Sequence, residues 1–331
     1  MIKDIQYIIA DGTVPFRNQA VEELLMQTVK PGTCILYLWQ NRQTVVIGRN
    51  QNGRAECRVD QLEKDGGYLA RRLSGGGAVF HDLGNLNFSF LACDPDYSVE
   101  RQQHVILSAV RSFGLNAEVT GRNDIAIDGR KFSGNAFMST GIRHCHHGTL
   151  LLGADTSAME KYLSVSSDKL ESKGVRSVRS RVVNLSDLAA GITPDSMTAA
   201  LVYAFSNDYG LTPRHVMVSE LDPVRLNVLA QKFSSREWRL GHDPDFMYRQ
   251  KSRFAWGGAE LCLRVSGEAV AEARLYTDSL DPEFSGIVEN ALIGTKFSGS
   301  AMQYALGVAN CTPDRRQMLR DISSLLQEAS R

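Results

Sequence analysis

Apolar positions come in short blocks, broken by polar or glycine-containing stretches, through most of the first 150 residues. Ile2 to Ala10 is one strand-sized block. From Pro15 the spacing changes to that of an amphipathic helix reaching about Thr28, with Ala20, Leu24 and Leu25 on one face, Glu22 and Glu23 on another, and Pro31-Gly32 as the stop. Cys34 to Trp39 and Thr44 to Ile47, separated by Gln40-Asn41-Arg42, predict a hairpin. After the turn Asp65-Gly66-Gly67, strands are predicted at Tyr68 to Arg72, Ala78 to Phe80 and Leu86 to Ala92. Arg101 to Phe113 has helical period and ends at Gly114. Ile125 to Ile127 and Lys131 to Phe137 flank Asp128-Gly129, the strongest hairpin signal in the chain. Residues 156–210 read as mostly helical. A break follows near Gly241-His242-Asp243-Pro244, then a hairpin from Arg253 to Leu263 and Ala269 to Tyr276, and a last helix from Asp314 to Ala329.

Many strands with few crossover helices predict an α+β architecture over a doubly wound one. The break places a boundary near residue 245, giving a domain of residues 1–245 and a smaller α+β domain of residues 246–331. Gly129 to Ala136 echoes Gly294 to Ala301, but eight similar residues without similar surroundings read as coincidence.

Charge narrows the partners. The 331 residues carry 37 basic and 37 acidic side chains, so the basic surplus of a general nucleic-acid binder is missing. An apolar fraction of 43% with 22% charged residues is that of a folded globular chain. No apolar run reaches the ~18 residues of a membrane helix, and the N-terminus does not read as a signal peptide. Six scattered cysteines read as reduced thiols, so a soluble, cytoplasmic protein is expected.

Four stretches could carry chemistry. Arg71-Arg72-Leu73-Ser74-Gly75-Gly76-Gly77-Ala78-Val79-Phe80-His81-Asp82 places two arginines before three glycines. Such a loop can cradle a phosphate or carboxylate with free backbone N–H groups, or it is a plain turn between strands. It lacks the Lys-Ser/Thr of a Walker loop and the following helix of a dinucleotide fingerprint. Asp124 and Lys131 lie on the two arms of the Asp128-Gly129 hairpin, either as solvated charges or facing one pocket. Arg143-His144-Cys145-His146-His147 invites a zinc reading, which adjacency along an extended chain argues against. Arg176, Arg179 and Arg181 are a surface cluster or the basic rim of a docking face.

Together these residues resemble the bacterial two-domain lipoate–protein ligases. The resemblance lies in VVIGRNQN (45–52), ARRLSGGGAVFHDLGNLNFSF (70–90), GRNDI (121–125), RKFSGNA (130–136), HHGTLLL (146–152) and KGVRSVRSRVVNL (173–185), and continues in FAWGGAEL (254–261) and TDSLDP (277–282). It implies the biotin/lipoate-ligase fold, an α+β domain with a mixed sheet, related to class II aminoacyl-tRNA synthetase cores. The activity implied has two steps: lipoate and MgATP give lipoyl-AMP and pyrophosphate, and the acyl group then passes to a lysine ε-amine. The implied acceptors are lipoyl domains of 2-oxoacid dehydrogenase acyltransferase subunits and the glycine-cleavage H protein. No nucleic-acid or membrane partner is expected, and a monomer is.

By the same resemblance Lys131 bridges the lipoyl carboxyl and the α-phosphate as the catalytic cation. Arg72, Gly77, Ala78, Val79 and Phe80 contact ATP with it. Ser74, Gly75, Gly76, His81 and His147 contact lipoate, and Asp124 and Asn85 are candidates for Mg²⁺. The C-terminal domain is implied to cover the site and move on adenylation. One departure is Met138 after Phe137, where several relatives carry arginine. Two rivals remain: an ATP-independent lipoyl or octanoyl transferase working through a cysteine thioester, for which Cys145 is the nearby thiol, and a non-catalytic lipoate binder.

Overall fold

The computed structural model describes residues 1–121, 123–164, 182–241 and 245–326. Two compact units emerge, and neither is continuous in sequence. The first comprises residues 1–47, 53–72 and 78–239; the second comprises 48–52, 73–77 and 240–331.

In the first unit, eight strands form one mixed sheet. They are β1 (Asp4–Ile9), β2 (Thr33–Trp39), β6 (Asn85–Cys93), β7 (Glu118–Thr120), β8 (Asp124–Ile127), β9 (Arg130–Thr140), β10 (Arg143–Leu151) and β11 (Arg214–His215), in the order β11-β1-β2-β6-β10-β9-β8-β7. The β1–β2 and β1–β11 pairs are parallel and the others antiparallel. β3 (Thr44–Ile47), β4 (Tyr68–Arg71) and β5 (Val79–His81) form a separate small sheet in the order β4-β3-β5.

The expected hairpin from Cys34 to Ile47 is therefore not formed: β2 pairs with β1 and β6, and β3 with β4 and β5. The link between them is not a solvated turn. Asn41 is fully buried, accepting from the Asn18 amide and lying 3.3 Å from His81 Nδ1, so the central residue of the polar trio that suggested a turn serves the interior. The Asp128-Gly129 hairpin does form, with φ of 50° and 72°, as a two-residue turn between twisted strands requires.

Two helices, α4 (Val99–Arg111) and α6 (Pro194–Tyr209), share the main apolar core with one face of the large sheet, around Phe88, Phe90, Val105, Ile106, Leu201 and Phe205. α1 (Pro15–Thr28) packs against β2, β6 and β10. Its inner face is not purely apolar: Asn18, Gln19 and Glu22 are all buried. The expectation that Glu22 faces outward with Glu23 is overturned, because a carboxylate with partners inside can be buried where an unpaired one cannot.

The second unit is a three-stranded antiparallel meander, β12 (Tyr248–Phe254), β13 (Gly257–Ser266) and β14 (Ala269–Thr277). Three helices follow, α9 (Phe284–Leu292), α10 (Gly299–Val308) and α11 (Pro313–Ser324), around Leu261, Leu263, Phe284, Val288, Met302, Leu306 and Ile322. The echoed segments differ in structure, since Ser133 lies within β9 whereas Ser298 caps the N-terminus of α10.

The glycine-rich run packs in this second unit. The Gly76 N–H donates to the Ser279 carbonyl at 2.8 Å, and a Cβ on Gly75 would strike the Ser279 and Leu280 backbone. Asn50 Nδ2 donates to the Pro282 carbonyl at 2.9 Å. Among the described residues no helix is long and apolar enough to cross a membrane.

Candidate active site

In the first unit, two polar constellations are built on the strands β6, β8, β9 and β10. The first is centred on Lys131. A register shift between Ile125 and Ala126 displaces the β8–β9 pairing, so that Asp124 lies opposite Gly134 while Lys131 opposes Ala126. The Lys131 ammonium turns back to Asp124, Nζ to Oδ1 2.6 Å, with both side chains about a quarter to a third exposed (30% and 26%). Gly134 makes this possible: a Cβ there would lie 2.6 Å from Lys131 Nζ and 2.9 Å from Cε. The two side chains that the sequence left as either solvated or convergent do converge.

This pair is braced from behind. Asn123 and Asn135 exchange amide-to-carbonyl hydrogen bonds of 2.7 and 3.0 Å. The Asn135 Oδ1 lies 2.8 Å from His146 Nε2, and His146 Nδ1 faces the Gln102 amide on α4 at 3.0 Å. Burial lowers His146 to about 3, so the ring is neutral. Because the Asn135 amide nitrogen already donates to Asn123, the proton sits on His146 Nε2 toward Asn135 Oδ1; Nδ1 then accepts from Gln102 once that amide is turned to present its nitrogen, which is buried without a partner while Oε1 faces the ring.

The second constellation lies on the opposite face of β10. Glu22 Oε1 accepts from the Ser89 hydroxyl at 2.5 Å and lies 2.8 Å from His147 Nδ1. Ser89 in turn accepts from Trp39 Nε1 at 3.1 Å. Burial penalises the Glu22 charge, but His147, Ser89 and Arg72 outweigh it and hold its pKa below the usual carboxylate range. Burial lowers Arg72 to about 10, Glu22 opposing the shift, so the guanidinium stays charged at neutral pH. His81 is buried and neutral, lowered to about 3 first by desolvation and then by Arg72. The Asn41 amide approaches its Nδ1, and its buried Nε2 has no hydrogen-bond partner in the structure. A buried donor without a partner, in the field of a guanidinium, suits an incoming acceptor.

The remaining expected residues are placed as follows. Val79, Phe80 and His81 form β5, with Ala78 just before it; Phe80 is buried against Tyr162. Ser74, Gly75, Gly76 and Gly77 belong to the second unit. Asn85 is fully buried; its amide nitrogen donates to Asn87 Oδ1 at 3.0 Å and its Oδ1 has no hydrogen-bond partner, while Asp124 is engaged by Lys131. Asp124 offers one carboxylate of the kind that suffices for a magnesium ion carried on nucleotide phosphates. Arg176, Arg179 and Arg181 lie outside the described residues. Glu22, Ser89 and Asn135 are site residues that the sequence reading missed. Ser89 and Asn135 lie inside the quoted 70–90 and 130–136 stretches, and for Glu22 the signal was a glutamate followed two residues later by leucines in a helix whose polar face is incomplete.

Comparison with known proteins places the fold in a family. The family model described as the lipoyl protein ligase A/B catalytic domain matches residues 14–206, and that of the bacterial lipoate protein ligase C-terminus matches residues 243–325. Plasmodium falciparum LipL1 in complex with lipoate superposes with a TM-score of 0.85 at 26% identity, covering 98% of this chain and 100% of that one. A bipartite lipoate protein ligase from Thermoplasma acidophilum, studied with its E2 lipoyl domain, gives 0.63 at 26% identity over 74% of this chain and 99% of that one. A lipoate-protein ligase A bound with ATP gives 0.62 at 26% identity over 73% of this chain and 99% of that one. With its mixed-sheet fold and both family domains matched, the chain belongs to the lipoyl protein ligase A/B family.

Proposed function

We propose that this protein is an ATP-dependent lipoate–protein ligase that acylates lipoyl domains through a lipoyl-AMP intermediate. The observation that carries the reading is the Lys131–Asp124 pair, an ammonium held at 2.6 Å on a braced hairpin beside a glycine that leaves it room. Adenylation brings a carboxylate against an α-phosphate, and two unit charges 4 Å apart repel by about 4 kcal/mol at an effective dielectric near 20. Lys131 is the cation for that junction. A lipoate carboxylate oxygen attacks the α-phosphorus, and the bond to the pyrophosphate oxygen breaks. In the second step the acceptor ε-amine attacks the acyl carbon and the bond to AMP breaks. The amine proton passes to Asp124 or to the departing phosphate. Lys131 stabilises charge on the shared oxygen in both steps.

Arg72 and the backbone of Ala78, Val79 and Phe80 are assigned to the nucleotide. His81 and His147 are assigned to lipoate, His81 through its partnerless Nε2. Ser74, Gly75, Gly76 and Gly77 enter as ligand contacts on the family resemblance. Asp124, and Asn85 through its buried and partnerless Oδ1, are the residues that would hold Mg²⁺, which would neutralise phosphate charge when bound. The relatives bound with lipoate and with ATP, and the one studied with an E2 lipoyl domain, support these ligands and this acceptor class. The glycine-cleavage H protein is a second acceptor on the same grounds. The division of labour places adenylation and transfer in residues 1–245, and a cap in 246–331.

Cys145 speaks against the thioester rival. It is fully buried, and burial, reinforced by Glu22, raises its thiol well above the ordinary range, the reverse of an activated nucleophile. The test combines lipoate, MgATP and a purified lipoyl domain. A lipoyl mass shift with pyrophosphate released in equal amount is expected. Acylation of the domain without ATP consumption would overturn the reading in favour of a transferase.

A further inference from the structure

Alternation along a strand argues against a metal motif of four consecutive residues but favours one of alternate residues. His144 and His146 share one face of β10, and His146 is spent on Gln102 and Asn135. Cys145 and His147, two positions apart, share the other face, where α1 brings in Glu22. One donor atom each of Glu22, Cys145 and His147 lies within 4.8 Å of the other two, the only such trio of His, Cys, Asp or Glu among the described residues. All three are buried, at 2%, 0% and 6% exposure.

We propose that Glu22, Cys145 and His147 form a binding site for a thiophilic divalent cation, Zn²⁺ or its analogue Cd²⁺. The donor set of one sulfur, one nitrogen and one oxygen is that of tetrahedral zinc with a fourth position for solvent. Zinc–ligand bonds of 2.0–2.3 Å put neighbouring donors ~3.3–3.6 Å apart, so closure needs side-chain shifts on the order of 1 Å. The charges balance: a carboxylate and a thiolate neutralise a dication, so the loaded site carries no net charge. Ser89, bonded to Glu22 at 2.5 Å and held by Trp39, orients the carboxylate from the outer shell. A hard cation such as Mg²⁺ is excluded by the sulfur and imidazole donors. Binding breaks the Cys145 S–H bond and the hydrogen bond between His147 Nδ1 and Glu22, shifts the ring proton to Nε2 and releases the thiol proton to solvent as the metal–ligand bonds form, so affinity rises with pH. The site shares Glu22 and His147 with the second constellation, where Arg72 acts on Glu22, so an ion there would oppose any ligand using the His147 ring.

Titrating the chelator-treated full-length protein with Cd²⁺, followed by the ultraviolet thiolate-to-cadmium charge-transfer band, tests the proposal without turnover. One equivalent per chain is expected, displaced by Zn²⁺. The half-exposed Cys311 is the competing thiol, so the Cys311→Ser variant must retain the band and Cys145→Ser must lose it. Metal should raise Tm in the wild type and in Cys311→Ser, and leave Cys145→Ser unmoved, which also shows that the variants are folded. Glu22→Gln should weaken binding at least tenfold. A wild type with no band, or a band that survives Cys145→Ser or disappears with Cys311→Ser, would overturn it.

Discussion

Gly134→Ala separates the position of Lys131 from its chemistry. The added methyl would lie 2.6 Å from Lys131 Nζ and 2.9 Å from Cε, with Thr149 Oγ1 next at 4.0 Å. Heavy atoms in contact want about 3.5–4.0 Å, so the ammonium must retreat by ~1 Å. The backbone at Gly134 does not have the positive φ that would strain alanine. The clash falls on the end of a flexible chain and not on the main chain, so the fold should absorb it. A partly exposed ion pair is worth about 0–1 kcal/mol, and replacing glycine by alanine stabilises by about 0.4–1 kcal/mol through the unfolded chain, so the two nearly cancel. Catalysis has no such compensation: a misplacement of ~1 Å costs about 10²-fold, or ~2.7 kcal/mol of barrier. The assay is pyrophosphate release with lipoate and MgATP, beside thermal melts. Gly134→Ala should lose about 10²-fold in kcat with Tm within a few degrees of wild type. Lys131→Ala should lose about 10²–10³-fold, and the double variant no more than Lys131→Ala alone. Wild-type kcat in Gly134→Ala, or additive losses in the double variant, would refute the argument.

Two further outcomes follow from the buried groups and the loop. His81 and His146, both lowered to about 3 by burial, bind protons in the unfolded chain between pH 6.5 and 3 but not in the folded one. Stability therefore falls on acidification through that window, by on the order of 4 kcal/mol from pH 7.5 to pH 5 for the two together; a urea-melt stability that stays flat over this range would contradict it. A chain ending at residue 245 loses Ser279, the partner of Gly76, so proteolysis at residues 73–77 should rise and adenylation should suffer more than transfer from supplied lipoyl-AMP. Equal loss of both half-reactions would count against that division.

Elements set by local chemistry were legible in the sequence. Pro15 and the spacing behind it gave α1, and Asp128-Gly129 gave the β8–β9 hairpin with Asp124 and Lys131 on its arms. Elements set by distant partners were not. Thr44–Ile47 follows Cys34–Trp39 closely, yet it pairs with strands up to 37 residues further on, because Asn41 is worth more inside than as a turn. Glu22 reads as a surface charge until Ser89 and His147, 67 and 125 residues away, are folded against it. The three glycines at 75–77 read as a ligand cradle or a plain turn, and neither reading reveals that Gly75 lies close against the Ser279–Leu280 backbone.

That last contact bears on how the chain is made. Residues 48–52 and 73–77 leave the ribosome early, but Thr277, Ser279 and Pro282, which receive or supply their hydrogen bonds, follow about 200 residues later. Contacts of such sequence separation form slowly, after the local strands and helices around them. The glycine loop is then the last part of the N-terminal half to become ordered during synthesis. A nascent chain arrested before residue 277 would present it unpacked, as a target for quality-control proteases.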